Sequence, residues 1–164
     1  MSNGLAWFNS LGDDEARDAL FRCLALRTWA ESVVGGRPYD TLSHLMARVD
    51  SEMDRLGDGD WLQAFAAHPR IGERGGHAPA TSEQEQSRVM QAADETLEAL
   101  RAENRMYEER FGHVFLIAAA GRSAGDILAS LRERMRNDAA TELEVAAEEQ
   151  RKITRLRLLA LLNR

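Results

Sequence analysis

The stretch Thr41–Leu56, TLSHLMARVDSEMDRL, decides the fold class. Leu42, Leu45, Met46, Val49 and Met53 recur at three- and four-residue steps. That spacing gathers side chains onto one face of a helix but scatters them over both faces of a strand. Pro38 stands ahead of the stripe and Gly57-Asp58-Gly59 follows as a turn, so the helix has a start and a stop.

The same pattern extends outward in both directions. Asp13 and Asp14 open a helix leading through Leu20, Phe21 and Leu24. Leu26 to Val34 continues or restarts it, and Gly35-Gly36 ends it. On the other side, Asp60 to Ala67 reads as a short helix stopped by Pro69. A long helix is predicted from Ser82 to about Arg110 and is broken by Gly112. The apolar run Val114 to Ala120 suits a short buried helix or a strand. Helices from about Ser123 to Met135 and from about Asp138 to Leu162 close the chain. β-branched residues are scarce, and no repeat or low-complexity linker divides the sequence. The expectation is an all-α fold, one compact domain over residues 1–164, with about seven or eight helices.

Composition narrows the function classes. Of 164 residues, 44% are hydrophobic and 29% charged, enough for a core without disulfides. The lone Cys23 excludes an internal disulfide and a zinc site built on several thiolates; its apolar neighbours predict a buried, inert thiol. A net charge of -6 argues against nucleic acid and anionic membranes as partners. The first residues lack the basic start and apolar run of a secretory signal, and Val114 to Ala120 is too short to span a bilayer. The C-terminus carries no peroxisomal tripeptide. The expected compartment is the cytoplasm. His44, His77 and His113 make no metal motif, and there is no phosphate-binding glycine loop, so no metal is expected. Trp7, Trp29 and Trp61 are spread widely and read as core.

Three places could carry chemistry. Residues 69–81, PRIGERGGHAPAT, form a loop with three glycines and two prolines, and loops of this length are often functional. His68 precedes it. Its imidazole either ends a helix by bonding the last carbonyls or exchanges a proton near neutral pH. Ser82-Glu83-Gln84-Glu85-Gln86 has the S-x-x-E spacing of a capping box. The same helix start could present free N–H groups to a ligand, with Glu85 turned to substrate donors. Arg157 follows Ile153 by four residues on a face shared with Ala146 and Leu161. A guanidinium bordering an apolar stripe calls for either an ion-pair partner or an anionic ligand. Arg151, Lys152, Arg155 and Arg164 read as solvated charges at the end of a helix.

The ordered set of these segments resembles the 2-oxo-4-hydroxy-4-carboxy-5-ureidoimidazoline (OHCU) decarboxylases, which yield (S)-allantoin in urate breakdown. The resemblance starts at Trp7-Phe8-Asn9, Cys23, Trp29 and Arg37-Pro38-Tyr39. It is strongest over Phe65-Ala66-Ala67-His68-Pro69-Arg70-Ile71-Gly72 and at Ser82, Glu85 and Gln86. It continues through Asn104, Tyr107, Phe111-Gly112, Phe115-Leu116-Ile117 and Gly121-Arg122-Ser123. It ends on Arg136-Asn137-Asp138, Glu142, Ala146, Glu149, Ile153 and Arg157-Leu158.

The resemblance implies a catalytic histidine at His68, a catalytic carboxylate at Glu85 and a substrate-binding arginine at Arg157. It implies a pocket lined by Pro69 and by Ser82, Glu83, Gln84, Glu85 and Gln86. Backbone groups of Ile117, Ala118, Ala119, Ala120 and Gly121 would meet the substrate ring, with Phe115 as a wall. It further implies a homodimer, for which the face of Leu156 to Leu162 could supply a patch. One departure stands out: the commoner F-G-F-P-F is here Phe111-Gly112-His113-Val114-Phe115, which leaves open the shape of that wall and a second titrating group at His113. The substrate carries its own electron sink, so no cofactor is expected. Two rivals share the fold: a non-catalytic helical interaction module, and an enzyme of another ureido or imidazolone acid.

Overall fold

The computed structural model describes residues 3–73 and 84–163. These residues hold eight α-helices and one 3₁₀ turn, and no strand is found among them, as the apolar spacing predicts. The helices are α1 (Asn3–Ser10), α2 (Asp13–Phe21), α3 (Arg27–Val34), α4 (Leu42–Asp54), α5 (Asp58–Phe65), α6 (Asp94–Phe111), α7 (Ala124–Arg134) and α8 (Ala139–Leu162). The chain divides into two compact units, residues up to 64 with those from 151 onward, and residues 65–150.

In the first unit the stripe of α4 does what its spacing requires. Leu45, Val49 and Met53 are fully buried, and Met46 is half-buried. Leu42, one turn earlier, stays exposed at the helix start. The hydroxyl of Thr41 accepts from the His44 N–H and caps the helix. Trp29 of α3 is buried and its indole N–H reaches the Val49 carbonyl at 3.4 Å. Cys23 is buried, as its neighbours suggest. Trp61 is buried, whereas Trp7 is only half-buried.

The segments Trp7-Phe8-Asn9 and Arg37-Pro38-Tyr39 interlock within this unit. The Asn9 amide donates to the Tyr39 carbonyl and accepts from the Tyr39 N–H, both at 2.9 Å. The Arg37 guanidinium donates to the Phe8 and Leu11 carbonyls at 2.9 and 2.7 Å and pairs with Asp13. The Phe8 carbonyl in the last turn of α1 and the Leu11 carbonyl just beyond it are thus satisfied. Arg151 and Arg155, expected as solvated charges, are half-buried and paired. Four residues apart on α8, they share a face and pair with Asp54 and Asp50 of α4 at 2.5 and 2.8 Å. Arg151 also lies over the Trp61 ring. Arg164 and most of the glycine-rich loop fall outside the described residues.

The second unit is built around α6 and α7. Leu97, Leu100 and Tyr107 of α6 pack with Ile127, Leu128 and Leu131 of α7, and with Ile71, Val89, Phe115, Ile117 and Ala119. Two expectations need correction here. The long helix from Ser82 to Arg110 is interrupted: Val89–Gln91 is a 3₁₀ turn, and Ala92 and Ala93 are extended with ψ of 161° and 145°. Val89 is fully buried, so its burial, a tertiary requirement, outweighs the helical propensity around it. Asp94 and Glu95 then restart the helix, where the dipole favours acids. Val114 to Ala120 is neither helix nor strand. It follows Gly112, which at φ 79° turns the chain out of α6, and buries Phe115, Leu116, Ile117 and Ala119.

Candidate active site

α5 stops where Pro69 forbids its continuation. The His68 N–H closes the end of the helix on the Phe65 carbonyl at 3.1 Å. The His68 ring is engaged elsewhere: its Nε2 lies 2.7 Å from Oε1 of Gln150 on α8. His68 is half-buried, and Gln150 is fully buried.

The residues after His68 are bolted to α6. Asn104 donates to the Ile71 carbonyl at 2.9 Å, and Arg101 to the Gly72 carbonyl at 3.3 Å. Arg70 forms a two-pronged pair with Glu108 at 2.7 and 3.1 Å. Gln86 is buried, and its Oε1 accepts from the Gly72 N–H at 2.9 Å. Gln86, one of the predicted lining residues, therefore brackets the start of the glycine-rich loop. Gln84 is exposed and Glu85 half-buried. Ser82 and Glu83, and with them the proposed capping box, lie outside the described residues.

The segment with Phe115 and Ile117 to Gly121 is fixed by side chains. Phe115, Ile117 and Ala119 point into the core, Ala118 is half-buried, and Ala120 and Gly121 are exposed. Arg134 donates to the Leu116 carbonyl at 2.7 Å and lies over the Phe115 ring. Arg88 donates to the Gly121 carbonyl at 2.6 Å. Among the described residues, no backbone–backbone hydrogen bond involves residues 114–118.

A buried polar network stands behind this segment. Glu142 accepts from Tyr107 at 2.5 Å, from Arg134 at 2.5 and 2.8 Å, and from Asn137 at 3.0 Å. Burial first, and then the bond to Glu142, push the Tyr107 phenol far above its ordinary value, so it remains a donor. His113 packs against the rings of Phe65, Tyr107 and Phe111, and its Nδ1 lies 3.1 Å from the Val114 carbonyl. It serves as one more ring of an aromatic cluster.

His68, Pro69, Gln84, Glu85, Gln86, Phe115 and Ile117 to Gly121 thus belong to the unit of residues 65–150, and Arg157, half-buried on α8, belongs to the other. Among the described residues no group of three His, Cys, Asp or Glu stands together as a metal site. No described helix is long and apolar enough to cross a membrane. Sequence reasoning missed Gln150, Arg134 and the role of Glu142. For Gln150 one signal existed: it follows Ala146 by four residues and precedes Ile153 by three, on the buried face of α8.

The family model for OHCU decarboxylase matches residues 9–159. The chain belongs to the OHCU decarboxylase family. Among curated relatives, an OHCU decarboxylase of Haloferax volcanii is 28% identical over 92% of this chain and 90% of its own length. An OHCU decarboxylase of Amia calva is 31% identical over 79% of this chain and 77% of its own. A uric acid degradation bifunctional protein of Arabidopsis thaliana is 30% identical over 93% of this chain, which spans 48% of that protein's length. A crystal structure of an OHCU decarboxylase in the presence of (S)-allantoin is 30% identical, with a TM-score of 0.78 over 90% of this chain and 99% of that one. The segments quoted for the OHCU decarboxylase resemblance divide in two. Asn9, Arg37, Asn104, Tyr107, Asn137 and Glu142 hold the fold; His68 and Glu85 are half-buried, His68 with its ring on Gln150.

Proposed function

We propose that this member of the family is a carboxy-lyase that converts 2-oxo-4-hydroxy-4-carboxy-5-ureidoimidazoline to (S)-allantoin and CO2, as a step of urate breakdown. The observation that carries the reading is the His68 imidazole. It is presented at a helix stop with one nitrogen tied to a buried amide, in the same unit as peptide groups that neither helix nor sheet uses.

The bond between the ring carbon and its carboxylate breaks, CO2 leaves, and the electron pair enters the conjugated imidazolone. A proton then reaches the neighbouring ureido-bearing carbon on one face, and the hydroxyl on the carbon that lost CO2 gives up its proton to become the ring carbonyl of allantoin. Because the ring is the electron sink, the reaction calls for no cofactor. His68 transfers the proton near the departing carboxylate. Glu85 accepts hydrogen bonds from ureido or ring N–H groups, and Arg157 stabilises charge on substrate oxygens. The peptide groups of residues 117–121 meet the ring, with Phe115 as a wall and Pro69 and residues 82–86 as the remaining lining.

The test is turnover of freshly prepared substrate, followed by the optical activity of the product, since spontaneous decay gives racemic allantoin. An (S)-excess in the native protein, lost in folded His68→Asn and Arg157→Ala proteins, is expected. Near-normal rates in both variants would falsify the assignment. The protein is further proposed to act in the cytoplasm as a homodimer, with Leu156 and Leu159, 51% and 42% exposed on α8, in the contact. A monomeric mass in solution scattering excludes the dimer.

A further inference from the structure

We propose that Gln150 is a positioning residue that holds His68 in the Nε2–H tautomer, so that Nδ1 is the nitrogen that takes up and returns the proton. The inference rests on the reading of His68 as the proton-transfer group. Its physical basis is the 2.7 Å approach of Gln150 Oε1 to His68 Nε2, across 82 residues of sequence. A carbonyl oxygen has no proton to give. Only an N–H at Nε2 meets it favourably; the other tautomer would set the Nε2 lone pair against the oxygen. A neutral imidazole with its proton at Nε2 carries its basic lone pair at Nδ1.

Gln150 is built to impose this choice. Its side chain is fully buried, and a buried amide is held in the orientation that satisfies its hydrogen bonds. Its Cα is fixed because Ala146, Ile153 and Thr154 around it on α8 are themselves buried. His68 has little freedom of its own, since it sits between the closed end of α5 and Pro69. The amide also adds no negative charge. A carboxylate in its place would orient the ring equally but would favour imidazolium.

The experiment is ¹⁵N NMR of the ring nitrogens in the full-length native protein, above the pH at which His68 titrates, with His68→Asn to assign the signals. A protonated Nε2 and a lone-pair Nδ1 are expected. A spectrum with the proton at Nδ1, as an amide turned to put its NH2 group against Nε2 would require, overturns the proposal. Gln150→Leu removes the acceptor. It is expected to give a mixed tautomer signal and a kcat lower by about 10–100-fold, the usual effect of losing the partner of a functional imidazole at metal sites, with KM little changed. Gln150→Glu keeps an oxygen in place and is expected to keep the Nε2–H signal. A folded Gln150→Leu protein with unchanged tautomer and rate also overturns it. The native spectrum stands without any variant. Near-normal turnover by His68→Asn sinks the catalytic reading of His68 itself. An Nδ1–H spectrum in a protein that needs His68 sinks only the role of Gln150.

Discussion

His68 carries two duties with two different atoms. Its backbone N–H closes α5 on Phe65, and its ring reaches Gln150. The helix end is thus closed by the backbone and not, as one reading of the sequence has it, by the imidazole, so the proposed proton transfer does not compete with the helix stop. His68→Asn leaves the backbone bond intact and removes the titrating ring, so the fold should survive while kcat falls by about 10²–10⁴. Arg157→Ala should cost about 10²–10³ in kcat if it stabilises developing charge. Initial rates from optical rotation, beside thermal melts of the same samples, separate lost chemistry from lost structure. His113 illustrates the opposite case. A histidine next to a site invites a catalytic role, yet its ring fills a place among Phe65, Tyr107 and Phe111.

Polar side chains decide where elements sit. The Arg134–Glu142 pair ties α7 to α8 and is 8% and 0% exposed. Its value comes from completeness, because Tyr107, Asn137 and the Leu116 carbonyl take up the remaining bonding capacity. Glu142→Ala leaves the Arg134 charge buried without its carboxylate, and should lower unfolding free energy by about 3–5 kcal/mol. Urea denaturation measures this, and a loss below 1 kcal/mol would show the pair to be dispensable. At the start of α8, the Asp138 carboxylate accepts from the Thr141 N–H at 2.7 Å. Bonds from the Thr141 backbone, then from its side chain, hold Asp138 below the ordinary carboxylate range. The folded state thus binds this proton less readily than the unfolded state. The cap contributes fully above the ordinary carboxylate value and fades as pH falls through the lowered one. Asp138→Ala should melt at a lower temperature at neutral pH, and the gap to the native protein should close in acid.

At the scale of the molecule, α8 supplies residues to both units. Glu142 and Gln150 belong to one, and Arg151 and Arg155 to the other. Its C-terminal end is packed against α1 so closely that a Cβ on Gly4 would stand 1.6 Å from the Leu162 carbonyl oxygen. No side chain fits there. Gly4→Ala must push α1 and α8 apart, at a cost of about 1–3 kcal/mol from overpacking. Faster amide exchange at both helix ends would reveal it, and unchanged stability would mean that the contact yields freely.

The helices were legible in sequence because their signals are local. Three- and four-residue spacing, the acidic start at Asp13-Asp14, and Pro69 and Gly112 as stops all act within one turn of chain. The roles proposed for His68 and Glu85 come from the family resemblance, whose segments are short enough to read in line. What the sequence alone could not determine are the pairings at a distance. An Arg or Gln on a helix reads the same whether it meets water or a partner, so Arg151, Arg155 and Arg134 gave no local sign of theirs, and Gln150 showed only a place on a buried face. The break at Ala92-Ala93 and the irregular run after Gly112 were hidden for the same reason. Burial of Val89 and the hold of Arg134 on Leu116 are decided by the packed core. Only tertiary contact selects among the backbone states that local preference leaves nearly equal.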